Sequence, residues 1–424
     1  MRHSKRVLIV NQHGENRGDE AAMRAMLSAL QSRLGDVEFT LLYQFRDRNL
    51  RLEFREQVRD LPIIMSPLHG LGLLLYGAAL RLHLPAPRVL LGAVPAEVVD
   101  AYESADLVIS APGGPYFGDI YVNHEVVHWF FVWLATVYDK PLALYAPSAG
   151  PFETRALNPM RRRLYRKFDL LCIREQISAD YVTDLLGGDV RVHVTADAAI
   201  QSQVEPDDRE AFFAGKHSGL CDRLLVATSL NDYGYPGDAD ADAKRAEYER
   251  VMVALMEHLS RGTGCHFLML PQLYGAAHSD VPFLEKIGRK LSDEVSWEVV
   301  DPGLDSDEQR RVFAMADVHI ASRYHPAIFG NTGLTPGVCI YYEHKALGFM
   351  EQLGLDRYAF DIRKLDIAAL CAAIDHIVAN RDDLVEHLRR TLPALRAQSA
   401  RTTDLVVELL ERTTASVAGE ADRA

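Results

Sequence analysis

Short apolar runs alternate with helical patterns along both halves of the chain, and this alternation sets the fold class before any single motif is weighed. In the first half the runs are Arg6–Asn11, Glu38–Tyr43, Leu61–Met65, Asp106–Ser110, Pro141–Tyr145, Leu170–Arg174 and Arg191–Thr195, with helices at Asp19–Leu34 and Val126–Tyr138. In the second they are Leu224–Ser229, His266–Leu270, Trp297–Val300, Val318–Ala321 and Val338–Tyr342. Strands that are apolar on both faces and alternate with helices belong in parallel, doubly wound sheets. The expectation is an α/β protein of two Rossmann-like domains facing a cleft. The boundaries read as an N-terminal domain over 1–205, a linker over 206–222, a C-terminal domain over 223–395, and a C-terminal helix with a frayed tail over 396–424. Asn231–Asp242, rich in Gly, Asp and Ala, reads as a loop, either a lid or a solvated linker.

A length of 424 residues accommodates two such cores, and 48% hydrophobic with 25% charged residues is an ordinary soluble balance. The net charge of -13 argues against a nucleic-acid binder, whose footprint would be basic. The five cysteines are odd in number and lack metal-ligand spacing, which suits small core residues in a reducing compartment. Only Val7–Val10 follow the basic N-terminus as an apolar run, too short for a signal segment, so a cytoplasmic location is expected. Gly70–Leu80 is membrane-like but too short to span a bilayer. It reads as a buried helix or as a patch resting peripherally on a membrane.

Polar clusters fall at the carboxyl ends of the strands, where open parallel sheets bind ligands. Ser322-Arg323-Tyr324-His325-Pro326 follows a strand, and Pro326 suits the first position of a short helix that leaves at Asn331 and Gly333. An arginine, a histidine and a helix start together suit a small, highly charged anion. Lys345 ends the next strand region, and Gln272 ends another. In the first half, Asn16, Gly18, Asp19 and Glu20 lie between the first strand and its helix. There the two carboxylates either oppose the helix dipole or accept hydrogen bonds from sugar hydroxyls. Gly113 and Gly114 allow a close backbone approach or simply make a turn, and Asp119 adds an acceptor. Ser148 follows another strand, and Arg174 beside Glu175 reads as a ligand contact or a buried ion pair. His124-Glu125-Val126-Val127-His128 matches the zinc-protease spacing. It sits on an ordinary crossover helix of a parallel series, so no metal site is assigned.

Taken in order, several of these stretches resemble the polysaccharide pyruvyl transferases over residues 7–355. They are Asn-x-Gly-Asp-Glu-Ala at Asn16–Ala21, Gly113-Gly114 before Asp119, Ser148–Phe152, Arg174 with Ser178, Arg323-x-His325, and Tyr342–Met350. The resemblance implies a fold similar to the two-domain B-type glycosyltransferases. It also implies transfer of a pyruvyl group from phosphoenolpyruvate to two hydroxyls of a saccharide, free or lipid-linked. Arg323, His325 and Lys345 would bind the donor with Ser322, Gln272 and Pro326 around them, and His325 is the candidate general acid. The acidic loops would repel a trianionic donor, so Asn16, Gly18, Asp19, Glu20, Gly113, Gly114, Asp119, Ser148 and Arg174 fall to the acceptor. No metal or redox cofactor is required. The rival readings are a nucleotide-sugar glycosyltransferase of the same architecture and a non-catalytic saccharide-binding partner.

Overall fold

The computed structural model describes residues 4–44, 54, 56–62, 66–114, 116–214, 219–275 and 278–421. It divides into two compact α/β units that are discontinuous in sequence. The first comprises Met1–Gly14, Ala22–Gln201 and Ala397–Ala424, and the second Glu15–Ala21 and Ser202–Arg396.

In the first unit the strands are β1 (Lys5–His13), β2 (Val37–Gln44), β3 (Val58–Pro62), β4 (Leu107–Ser110), β5 (Leu142–Tyr145), β6 (Leu170–Ile173) and β7 (Val192–Val194). They form a seven-stranded sheet in the order β3-β2-β1-β4-β5-β6-β7, every pairing parallel. β4, β5 and β6 are buried at every position, which is why their sequences are continuous apolar runs rather than alternating ones. The expected strand at Leu61–Met65 begins earlier, at Val58, and residues 63–65 lie outside the described residues.

The second unit adds β8 (Leu225–Ser229), β9 (His266–Met269), a short antiparallel hairpin of β10 (Tyr274–Gly275) and β11 (His278–Ser279), then β12 (Ser296–Val299), β13 (Val318–Ala321), β14 (Gly337–Tyr341) and β15 (Ala359–Asp361). Its six-stranded parallel sheet has the order β12-β9-β8-β13-β14-β15. β13 lies between β8 and β14, with Ala321 opposite both Ser229 and Cys339. The ends of these strands therefore open at one level, at the position where the strand order turns back.

Helix starts carry the expected chemistry. Asp305 and Glu308 form a reciprocal capping box on the helix Ser306–Met315. Gly187 and Gly264 close the helices Gln176–Leu186 and Ala241–Thr263 in the left-handed region, where a missing Cβ removes the steric penalty. The C-terminal stretch is one helix from Arg381 to Ala421, so the helix expected over 396–424 starts earlier and runs through the described part of the tail. The loop after β8 is anchored rather than free. Tyr235 is buried and its hydroxyl donates to the Ile362 carbonyl at 3.1 Å, while Arg245 grips Asp232.

Candidate active site

At the end of β13 the chain turns at Arg323, the extended N-cap residue of the helix Tyr324–Thr332. At the end of the neighbouring β14, Glu343 caps the helix His344–Gln352 in the same way. Neither cap residue's side chain closes its helix, so the first-turn amides of two adjacent helices lack a side-chain cap. Pro326 is the third helical residue, not the first. The position costs nothing, because the first four amides of a helix have no partner within it. His325 thereby falls in the first turn, two residues after Arg323, with its ring 4.9 Å from that of Tyr324.

Each cation here is held by a carboxylate. Arg323 Nη2 donates to Asp280 at 2.6 Å, and Lys345 Nζ lies 2.5 Å from Glu343. Asp280 is buried and also accepts the backbone amides of Gln272 and Leu273, at 3.0 and 2.9 Å. It fixes the arginine to the end of β9. Arg323 Nε is buried without a hydrogen-bond partner among the described residues, and so is Gln272 Oε1. A buried donor and acceptor left open in this way invite a polar ligand. Ser322 is turned inward, its hydroxyl 2.6 Å from that of Tyr248. That contact holds the strand end and keeps Ser322 off the surface.

The sequence places Asn16, Gly18, Asp19 and Glu20 on the first domain, whereas Glu15–Ala21 group with the second unit. Asn16 bridges antiparallel to Leu273, with Arg17 N donating to the Gln272 carbonyl at 3.0 Å and Tyr274 N to that of Glu15 at 3.2 Å. Arg17 stacks over the Tyr274 ring and pairs with Glu20 at 2.7 Å, and Glu20 in turn accepts the Ser306 amide at 3.3 Å. Asn16 Oδ1 accepts the Gly18 amide at 2.8 Å. Gly18 then lies flat on the Arg323–His325 turn, since a Cβ there would sit 1.9 Å from His325 Nδ1. Asp19 and Glu20 are both buried, and Glu20 is committed to Arg17 and a helix start.

The remaining residues assigned to the acceptor lie in the first unit. Ser148 and Arg174 are buried in one network. Arg174 donates to Ser148 Oγ at 2.8 Å and to Asp197 at 2.6 Å, while Ser148 donates to Glu175 at 3.1 Å. Asp119 pairs with the fully buried Arg161 at 2.7 Å and accepts the Thr154 amide. These polar atoms are turned onto the protein's own framework. Gly113 and Gly114 are both buried, Gly113 against the Tyr116 ring. The close backbone approach is made instead by Gly118 and Gly150, whose loops after β4 and β5 touch. A Cβ on Gly118, at a φ of 147°, would meet Gly150 Cα at 2.7 Å.

One cluster escaped the sequence reading because its members are far apart in the chain. His13, at the end of β1, stacks on Tyr116 with ring centres 4.0 Å apart and on His128 at 4.9 Å. Tyr121 and His124 flank the same stack. The hydrogen bonds fix the tautomers. His128 Nδ1 is 2.7 Å from the His124 carbonyl, which can only accept, so Nδ1 carries the proton and Nε2 accepts. His13 Nε2, 3.0 Å from His128 Nε2, must donate, leaving His13 Nδ1 as the basic lone pair. Glu125 of the zinc-protease-like spacing is taken by Arg161, at 2.8 and 2.7 Å, so that spacing is spent on two separate structural contacts.

Burial pushes the His128 imidazole down to about 4, and burial with the neighbouring His128 and His124 holds His13 well below the ordinary range. The unfolded chain therefore binds protons that the folded chain refuses, and stability is lost as pH falls below 6.5. The His128 shift from 6.5 to about 4 amounts to about 3 kcal/mol by pH 4. His128→Gln should flatten the acid limb of a melting-temperature profile between pH 6.5 and 4. An unchanged slope would contradict the assignment.

The second unit thus offers two helix starts, a fixed arginine, a lysine and a buried histidine at the crossover of a parallel sheet. Solved structures of the same overall fold are enzymes of sugar metabolism. A putative UDP-N-acetylglucosamine 2-epimerase from Listeria monocytogenes aligns at TM-score 0.57 and 12% identity, over 94% of each chain. The UDP-GlcNAc 2-epimerase of Neisseria meningitidis aligns at 0.57 and 11%, covering 96% of this chain and 100% of that one. A trehalose 6-phosphate synthase from Burkholderia multivorans aligns at 0.55 and 12%, over 98% and 100%. The class is the two-domain α/β fold of B-type glycosyltransferases and their epimerase relatives. Within it, the polysaccharide pyruvyl transferase profile matches residues 16–344, and the chain belongs to that family of transferases. The amylovoran biosynthesis protein AmsJ of Erwinia amylovora is 23% identical, over 94% of this chain and 98% of its own length.

Proposed function

We propose that this transferase moves the pyruvyl unit of phosphoenolpyruvate onto two hydroxyls of a saccharide in polysaccharide biosynthesis. The observation that supports it most is the arrangement at the ends of β13 and β14. There Arg323 and Lys345 stand at two neighbouring helix starts, with His325 in the first turn of one of them. The donor carries a phosphate and a carboxylate, and two cationic helix starts match two anionic groups. His325 gives a proton to the methylene carbon, which becomes the methyl group, and positive charge develops at the adjacent carbon. A sugar hydroxyl oxygen bonds there and gives up its proton. The carbon–oxygen bond to phosphate breaks, and the second hydroxyl oxygen closes the ketal as it gives up its proton; of the two hydroxyl protons one leaves on phosphate and the other restores His325. One donor and one diol yield one ketal and one hydrogen phosphate. The chemistry needs no metal or redox cofactor.

The acceptor is assigned to the strand ends of the first unit, where His13 stacks on Tyr116 and Tyr121 is tilted against it, aromatic surface of the kind that sugar faces pack against. Either free or lipid-linked saccharides fit this chemistry.

The test is incubation with phosphoenolpyruvate and candidate saccharide carriers, reading phosphate release together with the pyruvyl mass gain on the carrier. His325→Ala should lower both by about 100-fold or more, the range of a lost general acid. Release of a nucleotide from a sugar nucleotide, without phosphate release from phosphoenolpyruvate, would favour a glycosyltransferase instead. An unchanged rate in the alanine variant would remove His325 from the mechanism.

A further inference from the structure

The helix Pro67–Arg81 packs by one face and leaves the other bare. Leu73, Tyr76 and Gly77 are buried, and Gly77 lies so close to Trp133 that a Cβ would meet its ring at 2.8 Å. The opposite face exposes Leu68 at 77%, Leu75 at 62%, Leu71 and Leu74. Val126 and Met160, from two neighbouring helices, continue the same apolar surface. Between these helices runs an apolar groove of about 380 Å³, floored by Phe130 and Trp133. The charged side chains on its lining are Arg81, Arg163 and Lys167, all basic.

Scattered exposed leucines need no explanation, but a contiguous set on one helix with a basic rim does. No described helix is long and apolar enough to cross a membrane. From these observations we infer that the Pro67–Arg81 face docks peripherally on an anionic phospholipid bilayer. The leucines enter the acyl boundary, and Arg163 and Lys167 meet lipid phosphates. Charge decides the occupant. The chain as a whole carries -13, so a local basic rim around an apolar face is matched to an anionic surface. A second copy docked face to face would set arginine against arginine. The inference is independent of the donor chemistry, because vesicle binding is read without turnover.

The experiment is co-sedimentation of the full chain with vesicles of phosphatidylcholine alone, and with about one-third phosphatidylglycerol added. The wild type should pellet with the anionic vesicles and be released by salt. Leu68→Ser/Leu71→Ser/Leu75→Ser should reduce the bound fraction about tenfold, and Arg163→Glu/Lys167→Glu several-fold. The charge pair keeps the test sharp if the serine variant folds poorly. Failure of the wild type to pellet would overturn the inference, as would equal binding by both variants. So would a serine variant whose only change is a smaller oligomer in solution.

Discussion

Gly18→Ala is expected to cut phosphoenolpyruvate-dependent turnover by about 100-fold or more in a chain that still folds, the scale set by small misplacements of catalytic groups. The added methyl would stand 1.9 Å from His325 Nδ1 and 2.2 Å from Cγ, far inside contact distance. The loop has little room to yield. Its amide is held by Asn16, the preceding residue by the Gln272 carbonyl, and the next turn by the Glu20 contacts to Arg17 and Ser306. The ring is equally confined, for His325 is 7% exposed and lies between Tyr324 and Phe329. Either the loop lifts or the imidazole turns, and His325, the proposed proton donor, is misplaced in both cases. Overpacking of this kind costs about 1–3 kcal/mol, which a two-unit chain survives. Phosphate-release kinetics, read beside the melting temperature, check it. Turnover within threefold of wild type in a folded variant would show that the ring's placement is not critical.

The strands were legible because parallel strands buried on both faces announce themselves as continuous apolar runs. The Arg323–His325 turn was legible for a related reason, since polar residues immediately after such a run stand out. Long-range pairing was not. Asn16 follows the first strand, so local order assigns it to the first domain, yet its bridge to Leu273 carries it to the second unit. Arg174 and Ser148 looked like ligand contacts for the same reason that Arg323 did. A strand-end arginine that faces Asp197 in the core has the same local sequence signature as Arg323, which faces Asp280. Asp280 shows the converse. Nothing near it in the chain marks it as the partner of Arg323, because the hairpin that carries it folds back only in three dimensions. His13 and His128 became a pair only through the crossover that stacks their rings.

Arg323→Lys is expected to raise the KM for phosphoenolpyruvate by about 100-fold, because a forked, two-sided contact becomes a point charge. In the proposed mechanism the guanidinium has two tasks. Nη2 binds Asp280, while Nε is buried without a hydrogen-bond partner among the described residues. An ammonium placed to satisfy Asp280 cannot also reach the donor, and one placed on the donor leaves a buried carboxylate bare. Asp280→Asn separates positioning from charge. The amide retains one acceptor oxygen for the three donors that the carboxylate serves, from Gln272, Leu273 and Arg323. At least one buried donor then goes unmet, at about 1–3 kcal/mol. Because that change loosens Arg323 without removing it, KM should rise while turnover at saturating donor falls little. Steady-state kinetics of the two variants therefore divide the roles. If Arg323→Lys left KM within threefold of wild type while His325→Ala abolished phosphate release, the donor's anionic groups would rest on Lys345 and the helix amides. Arg323 would then be no more than the counter-ion of Asp280.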